Sequence, residues 1–113
     1  MNEIRILVFK LNGEYFATDI MEVERILGNV GTTKLPDSPS FLEGIIKHEE
    51  EVIPVINLYK KFGFNSCSVD STNKVIVVKK ELGKFGVIVD DVNEVTTVNE
   101  EVIDYSSSVA TII

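Results

Sequence analysis

Few side chains in this sequence of 113 residues are equipped for chemistry, and they are scattered. His48 is the single histidine and Cys67 the single cysteine. A transition-metal site needs several such ligands at close spacing, so neither residue founds one. His48 lies in the charged run Lys47-His48-Glu49-Glu50-Glu51. That run reads as an exposed turn, where a solvated histidine is a better description than a general base. Glu49, Glu50 and Glu51 have the oxygens a hard cation takes, but three consecutive carboxylates point in different directions. Asp90-Asp91 poses the same question and receives the same answer. Neither run has the alternating oxygen ligands and glycine of a calcium loop. No Ser, Cys or Lys stands in a nucleophile motif, and Gly83 and Gly86 do not open a helix as a phosphate loop must. A small hydrolase would have only Asp90, Asp91 and His48 to work with; screening with and without divalent metal tests that reading. No cofactor is implied, and the enzyme class has no positive support.

Composition narrows the alternatives. With 18 acidic and 11 basic residues the formal net charge is −7. A nucleic-acid partner needs clustered Lys and Arg, which this balance disfavours. The aromatic side chains Phe9, Tyr15, Phe16, Phe62 and Phe85 lie on apolar strands or caps, where core packing explains them better than base stacking. Cys67 cannot form an internal disulfide; in its polar surroundings it reads as a free thiol in a reducing compartment. No apolar run approaches the ~20 residues that span a bilayer. The start, Met1-Asn2-Glu3-Ile4-Arg5-Ile6, lacks the long apolar stretch of a secretory signal. The expected location is cytoplasmic.

The elements that must position these residues are mostly strands. Residues 4–11 are β-branched and apolar, Asn12-Gly13 is a strong hairpin signal, and residues 14–18 return. Asp19 can cap a helix over residues 20–27, where Ile20, Val23, Ile26 and Leu27 recur at helical spacing. Residues 32–35 read as an edge strand, followed by the rigid turn Pro36-Asp37-Ser38-Pro39, with Phe41 anchoring the loop. Residues 42–46 and 52–58 form the next strand pair. Pro54 cannot donate to a ladder and so marks an edge or a bulge. Residues 59–62 form one helical turn, stopped by Gly63. Residues 74–79 and 85–89 are strands around a turn at 81–84. Asp90, Asp91 and Asn93 break the run before it resumes at 94–98.

Short strands with Gly and Asn turns indicate small β-barrels. The polar stretch 65–73 reads as a linker, giving one domain over 1–113 with approximate lobes 1–64 and 74–113. The apolar ending Val109-Ala110-Thr111-Ile112-Ile113 should be buried or paired.

In order and spacing, several pieces together resemble one family. They are Leu35-Pro36-Asp37-Ser38-Pro39-Ser40-Phe41-Leu42-Glu43-Gly44-Ile45-Ile46, Val52-Ile53-Pro54-Val55-Ile56-Asn57-Leu58, Lys61-Phe62-Gly63 and Gly86-Val87-Ile88-Val89-Asp90-Asp91-Val92-Asn93-Glu94-Val95. The sequence resembles the CheW-like domain of bacterial chemotaxis over nearly its whole length. The resemblance implies a mainly β fold of two small SH3-like five-stranded β-barrels sharing elements, with one or two short helices. It implies a non-enzymatic adaptor that couples the histidine kinase CheA to methyl-accepting chemoreceptors by protein–protein contacts. One barrel would pair with the kinase's regulatory domain. A groove between barrels would take the cytoplasmic tip of the receptor.

The resemblance places Thr32, Thr33 and Lys34, with Glu49 and Glu50, near the receptor-facing groove. It places Val87 and Val89 near the kinase-facing edge. Two departures stand out. The family has Asn-Leu-Arg-Gly where this sequence has Lys47-His48-Glu49-Glu50, so a cation becomes Glu49 and a turn glycine is lost. The family also continues with a Gly-rich strand pair and a closing helix, so the second barrel is expected to be incomplete. Its open strand edges would invite a homodimer. The rival reading, from a different class, is a degenerate or truncated structural module that associates with itself and couples no kinase. Kinase and receptor genes beside it would favour the adaptor.

Overall fold

The structure is a computed structural model, and it describes residues 3–28, 31–64, 69, 72–81 and 83–99. Cys67, most of 65–73 and the ending at 109–113 lie outside the described residues. Among the described residues eight strands and two short helical turns follow one another: β1 (Glu3–Leu11), β2 (Glu14–Asp19), a 3-10 turn (Ile20–Glu22), β3 (Val23–Gly28), β4 (Leu42–His48), β5 (Glu51–Asn57), α1 (Leu58–Phe62), β6 (Lys74–Lys80), β7 (Gly83–Val89) and β8 (Asp91–Asn99). They form a three-stranded sheet in the order β2-β1-β8 and a five-stranded sheet in the order β3-β6-β7-β5-β4. The architecture is the mainly β one expected, two small SH3-like units sharing elements; among the described residues the first sheet has three strands.

The lobe boundary at 65–73 does not follow the sheets. Each sheet takes strands from both sides of that stretch, because β8 pairs antiparallel with β1, and β6 and β7 join β3, β4 and β5. A two-stranded hairpin is marginal alone, and β8 supplies the third strand that β1 and β2 need.

Local signals explain most of the elements. Asn12 and Gly13 take φ of 54° and 78°, the mirror-image turn that suits a two-residue hairpin. Asn57 caps α1 by accepting from the Lys60 amide, and Gly63 ends it in the left-handed conformation at φ 76°. Pro54 faces Ile45 of β4, while the parallel pairing of β5 with β7 begins only at Val55. Its missing donor therefore falls on a stretch with no strand on that side.

Three elements differ from expectation. The helix foreseen over 20–27 is a single 3-10 turn followed by β3. The reason is a bulge: Val23 faces Val78 but Arg25 faces Val77, so Glu24 is the extra residue. The bulge puts Val23 and Ile26 on one face, and a spacing of three imitates a helix. In β8 the pairs Val8 with Glu94 and Phe9 with Val92 leave Asn93 as the extra residue, so the strand runs on through the foreseen break. The edge strand foreseen at 32–35 reduces to one bridge, in which Thr33 and Ile45 exchange two backbone hydrogen bonds of 2.9 Å. Gly44, at φ 149°, makes room for it: a Cβ there would lie 2.4 Å from the Thr33 carbonyl oxygen.

The two sheets share one core. Leu7, Phe9 and Leu11 of β1 join Val55, Leu58, Tyr59, Val75–Val78 and Val87–Val89 in a single buried cluster. The buried runs Val75–Val78 of β6 and Val87–Val89 of β7 show that these two strands are covered on both faces. A polar staple ties the sheets as well. Asp90 accepts from the backbone amides of Asn12 (3.2 Å) and Gly13 (3.0 Å) and from the Tyr59 hydroxyl. Buried Asn73 donates to Tyr59 Oη (3.3 Å) and to the Val89 carbonyl (3.0 Å). No helix among the described residues is long and apolar enough to cross a membrane.

Candidate functional site

The five-stranded sheet ends in β3 on one side and β4 on the other, and side chains span the gap between these two edges. Arg25 of β3 donates to His48 Nε2 at the end of β4, and its guanidinium lies 3.6 Å from Glu49 and 3.7 Å from Glu24. Lys84 of β7 continues the row, 2.7 Å from Glu24 and 2.9 Å from Glu51. Lys80 holds Glu22 at 2.6 Å. The hydrogen bond from Lys84, and behind it the charges of Lys84, Arg25 and Lys79, hold the Glu24 carboxyl below the usual range against the opposing effect of burial. Hydrogen bonds to Glu24 and Glu51 push Lys84 up. This is a charged rim with paired ions, and nothing in it aligns a nucleophile with a base. Among the described residues no group of three His, Cys, Asp or Glu side chains comes together as a cation site.

Glu49 and Glu50 occupy the β4–β5 turn with φ of 50° and 69°, and the Glu49 side chain is 72% exposed. His48 is less solvated than expected: its ring is 32% exposed and sits against Arg25. Thr33 and Lys34 are exposed, and half-buried Thr32 donates its hydroxyl to the Glu43 carbonyl at 3.3 Å. Thr33 sits beside Ile45, four positions along β4 from Glu49. The two groups therefore line one edge strand without touching, roughly 14 Å apart at ~3.4 Å per residue.

Val87 and Val89 correct the sequence reading. They are 1% and 0% exposed, in a strand flanked by β6 and β5, so neither forms an edge. Val87 still lines the floor of a shallow apolar groove of about 320 Å³, walled by Ile56, Leu58, Phe85 and Lys61. Sequence reasoning missed these walls, and it missed Arg25 and Lys84. Reading residues 20–27 as a helix put Arg25 on a solvent face, and only strand pairing brings β3 alongside the β4–β5 turn. Alternation in β7 was the available signal for Phe85, two residues from Val87 on the same face.

An apolar groove over Val87 and a separate row of paired charges, both on a small β-barrel, are surface features suited to a docking module. The comparisons agree on which one. Residues 5–112 match the CheW-like domain, and the chain belongs to that family. The chemotaxis protein CheW of Treponema pallidum is 29% identical over 103 residues, covering 88% of this chain and 61% of that protein. The CheW of Klebsiella aerogenes is 31% identical over 95 residues, covering 84% and 57%. The crystal structure of the scaffolding protein TtCheW from Thermoanaerobacter tengcongensis superposes with a TM-score of 0.87 at 34% identity, covering 97% of this chain and 77% of that one. The chain thus spans about three fifths of the length of curated relatives that it matches.

Proposed function

We propose that this chain acts in the cytoplasm as a non-enzymatic adaptor of bacterial chemotaxis, coupling a CheA-type histidine kinase to the cytoplasmic tips of chemoreceptors. The observation that carries the reading is family membership across residues 5–112, together with the close superposition on a scaffolding protein. The surface is suited to the task. The groove over Val87 offers apolar area, where affinity arises, and the charged rim selects among partners. Thr32, Thr33, Lys34, Glu49 and Glu50 form the receptor-side patch of this proposal, along the β4 edge. The kinase-side patch passes from Val87 and Val89 themselves to the groove walls Ile56, Phe85 and Lys61. Self-association through a strand edge completes the set of partners.

Titrating the purified chain against a CheA regulatory domain by calorimetry tests the coupling. Saturable binding is expected, and its loss in Phe85→Ala assigns the groove. No heat and no co-elution with either the kinase domain or a receptor tip would remove the proposal.

A further inference from the structure

We propose that Arg25 and His48 form a proton-operated latch between β3 and β4, closed while the His48 ring is neutral and opened when the ring takes up a proton. β3 and β4 are the first and last strands of the five-stranded sheet, and no ladder joins them among the described residues. The contact from Arg25 Nη1 to His48 Nε2 crosses that gap, between residues 23 positions apart in the chain. A guanidinium has donors only and keeps its charge throughout the physiological range, so Nε2 must offer its lone pair. The ring is thereby fixed as the neutral tautomer that carries its proton on Nδ1. Among the described residues Arg25 is its only hydrogen-bond partner. The side chain is still 32% exposed, so water can deliver a proton to it.

The charges around the ring supply the second state. From β3 it meets Arg25, with Glu24 behind at 3.7 Å from the guanidinium. From the turn it meets Glu49, whose Oε1 lies 3.9 Å from Nε2 while Oε2 lies 3.6 Å from Arg25. Across β5 its register partner is Glu51, held at 2.9 Å by Lys84 of β7. Lys47 and Glu50 flank this stretch at exposed positions. Histidine is the side chain that ordinarily changes charge between pH 5 and 8, and the carboxylates, lysines and arginine here ordinarily do not. A proton taken from water at Nε2 sets one N–H against another and one cation against another, so the Arg25 contact breaks. The ring becomes a donor and turns to Glu49, and Arg25 falls back on Glu24 of its own strand. Acid thus frees β3 from β4 and cancels one negative charge on the Glu49–Glu50 turn. The effect on docking rests on the proposed function, whereas the latch itself does not.

His48 is the only histidine in the chain, so its ring signals identify themselves. Nitrogen NMR of the free, isotope-labelled full chain from roughly pH 8 down to 5 reads both states. At the alkaline end the ring should be a single tautomer with its proton on Nδ1. As pH falls, the Arg25 guanidinium and the amides of Glu24, Arg25 and Ile26 should shift with the midpoint of the ring. In Arg25→Ala the neutral tautomers should mix and the β3 amides should stop following the ring. In His48→Gln those amides should stay flat over the same range. A native ring protonated at Nε2 when neutral, or β3 signals that ignore its titration, overturns the latch. So does a β3 response that survives in His48→Gln, which decides the matter even if Arg25→Ala fails to fold. Kinase and receptor binding are measured separately, so failure of the latch and failure of the adaptor reading are distinct results.

Discussion

Tyr59, in α1, donates its hydroxyl to the carboxylate of Asp90, 31 residues later in the chain. The same carboxylate holds the amides of Asn12 and Gly13, so one acidic side chain fastens the β1–β2 turn, α1 and the β7–β8 corner together. Burial alone would push the Asp90 pKa up, but the hydrogen bonds from Tyr59, Gly13 and Asn12 outweigh it and the pKa falls below the ordinary value.

Removing this carboxylate takes one acceptor away from the Tyr59 hydroxyl and from the exposed amides of Asn12 and Gly13. Asp90→Ala should cost about 1–3 kcal/mol and Tyr59→Phe about 1 kcal/mol in urea unfolding. Because the folded pKa is depressed, the stabilisation is complete above the unfolded carboxylate pKa of about 3.9 and is lost as pH falls through the folded value. The difference between the native chain and Asp90→Asn should be constant near neutral pH and shrink in acid. A difference that grows in acid would contradict the assignment.

Gly44 is constrained by both its backbone and its neighbour. At φ 149°, with a Cβ only 2.4 Å from the Thr33 carbonyl oxygen, Gly44→Ala must break the Thr33–Ile45 bridge. The expected cost is about 2 kcal/mol or more. Hydrogen exchange should show lost protection at the amides of Thr33 and Ile45.

The β4–β5 turn uses two glutamates where left-handed backbone favours glycine. Glu50 at φ 69° carries a steric cost of about 1–2 kcal/mol, partly offset by the entropy a glycine loses on folding. Glu50→Gly should therefore raise stability by up to about 1 kcal/mol. A loss of stability would mean that the Glu50 side chain contributes more than the turn costs.

Arg25 sets a positive charge beside the β4–β5 turn, 3.6 Å from Glu49. If the proposed receptor-side patch meets an acidic partner surface, Glu49→Arg should strengthen binding and Arg25→Ala should weaken it. Exposed pairs contribute less than about 1 kcal/mol to folding, so both variants should melt near the native temperature. Unchanged affinity in both would remove the turn from the interface.

Lys84 bridges β3 and β5 from β7 through Glu24 and Glu51. Its pKa is raised, so its contribution is complete below the ordinary lysine pKa and disappears as pH rises through the folded value. Lys84→Met should lower the melting temperature at neutral pH and low salt, less at high salt, and hardly at all in strong alkali. An equal effect in alkali would point to packing of the lysine stem.

Much of the fold was legible because its signals are local. Asn12-Gly13 names its own turn, Gly63 its helix end, and the apolar runs Val75–Val78 and Val87–Val89 name two strands but not their burial at the centre. The family was legible because Pro39-Ser40-Phe41, Ile-Pro-Val-Ile and Val-Asp-x-Val keep their order and spacing. What the sequence could not show follows from pairing between distant segments. Bulges at Glu24 and Asn93 turn a spacing of two into three, so β3 looked helical and β8 looked broken until their partner strands were known. Only the sheet order buries Val87 and Val89 at the centre, sets Arg25 against the β4–β5 turn, and draws Asp90 onto the first hairpin. Residue type fixes what an element prefers, but exposure and partner depend on neighbours far along the chain, which only the closed sheets bring together.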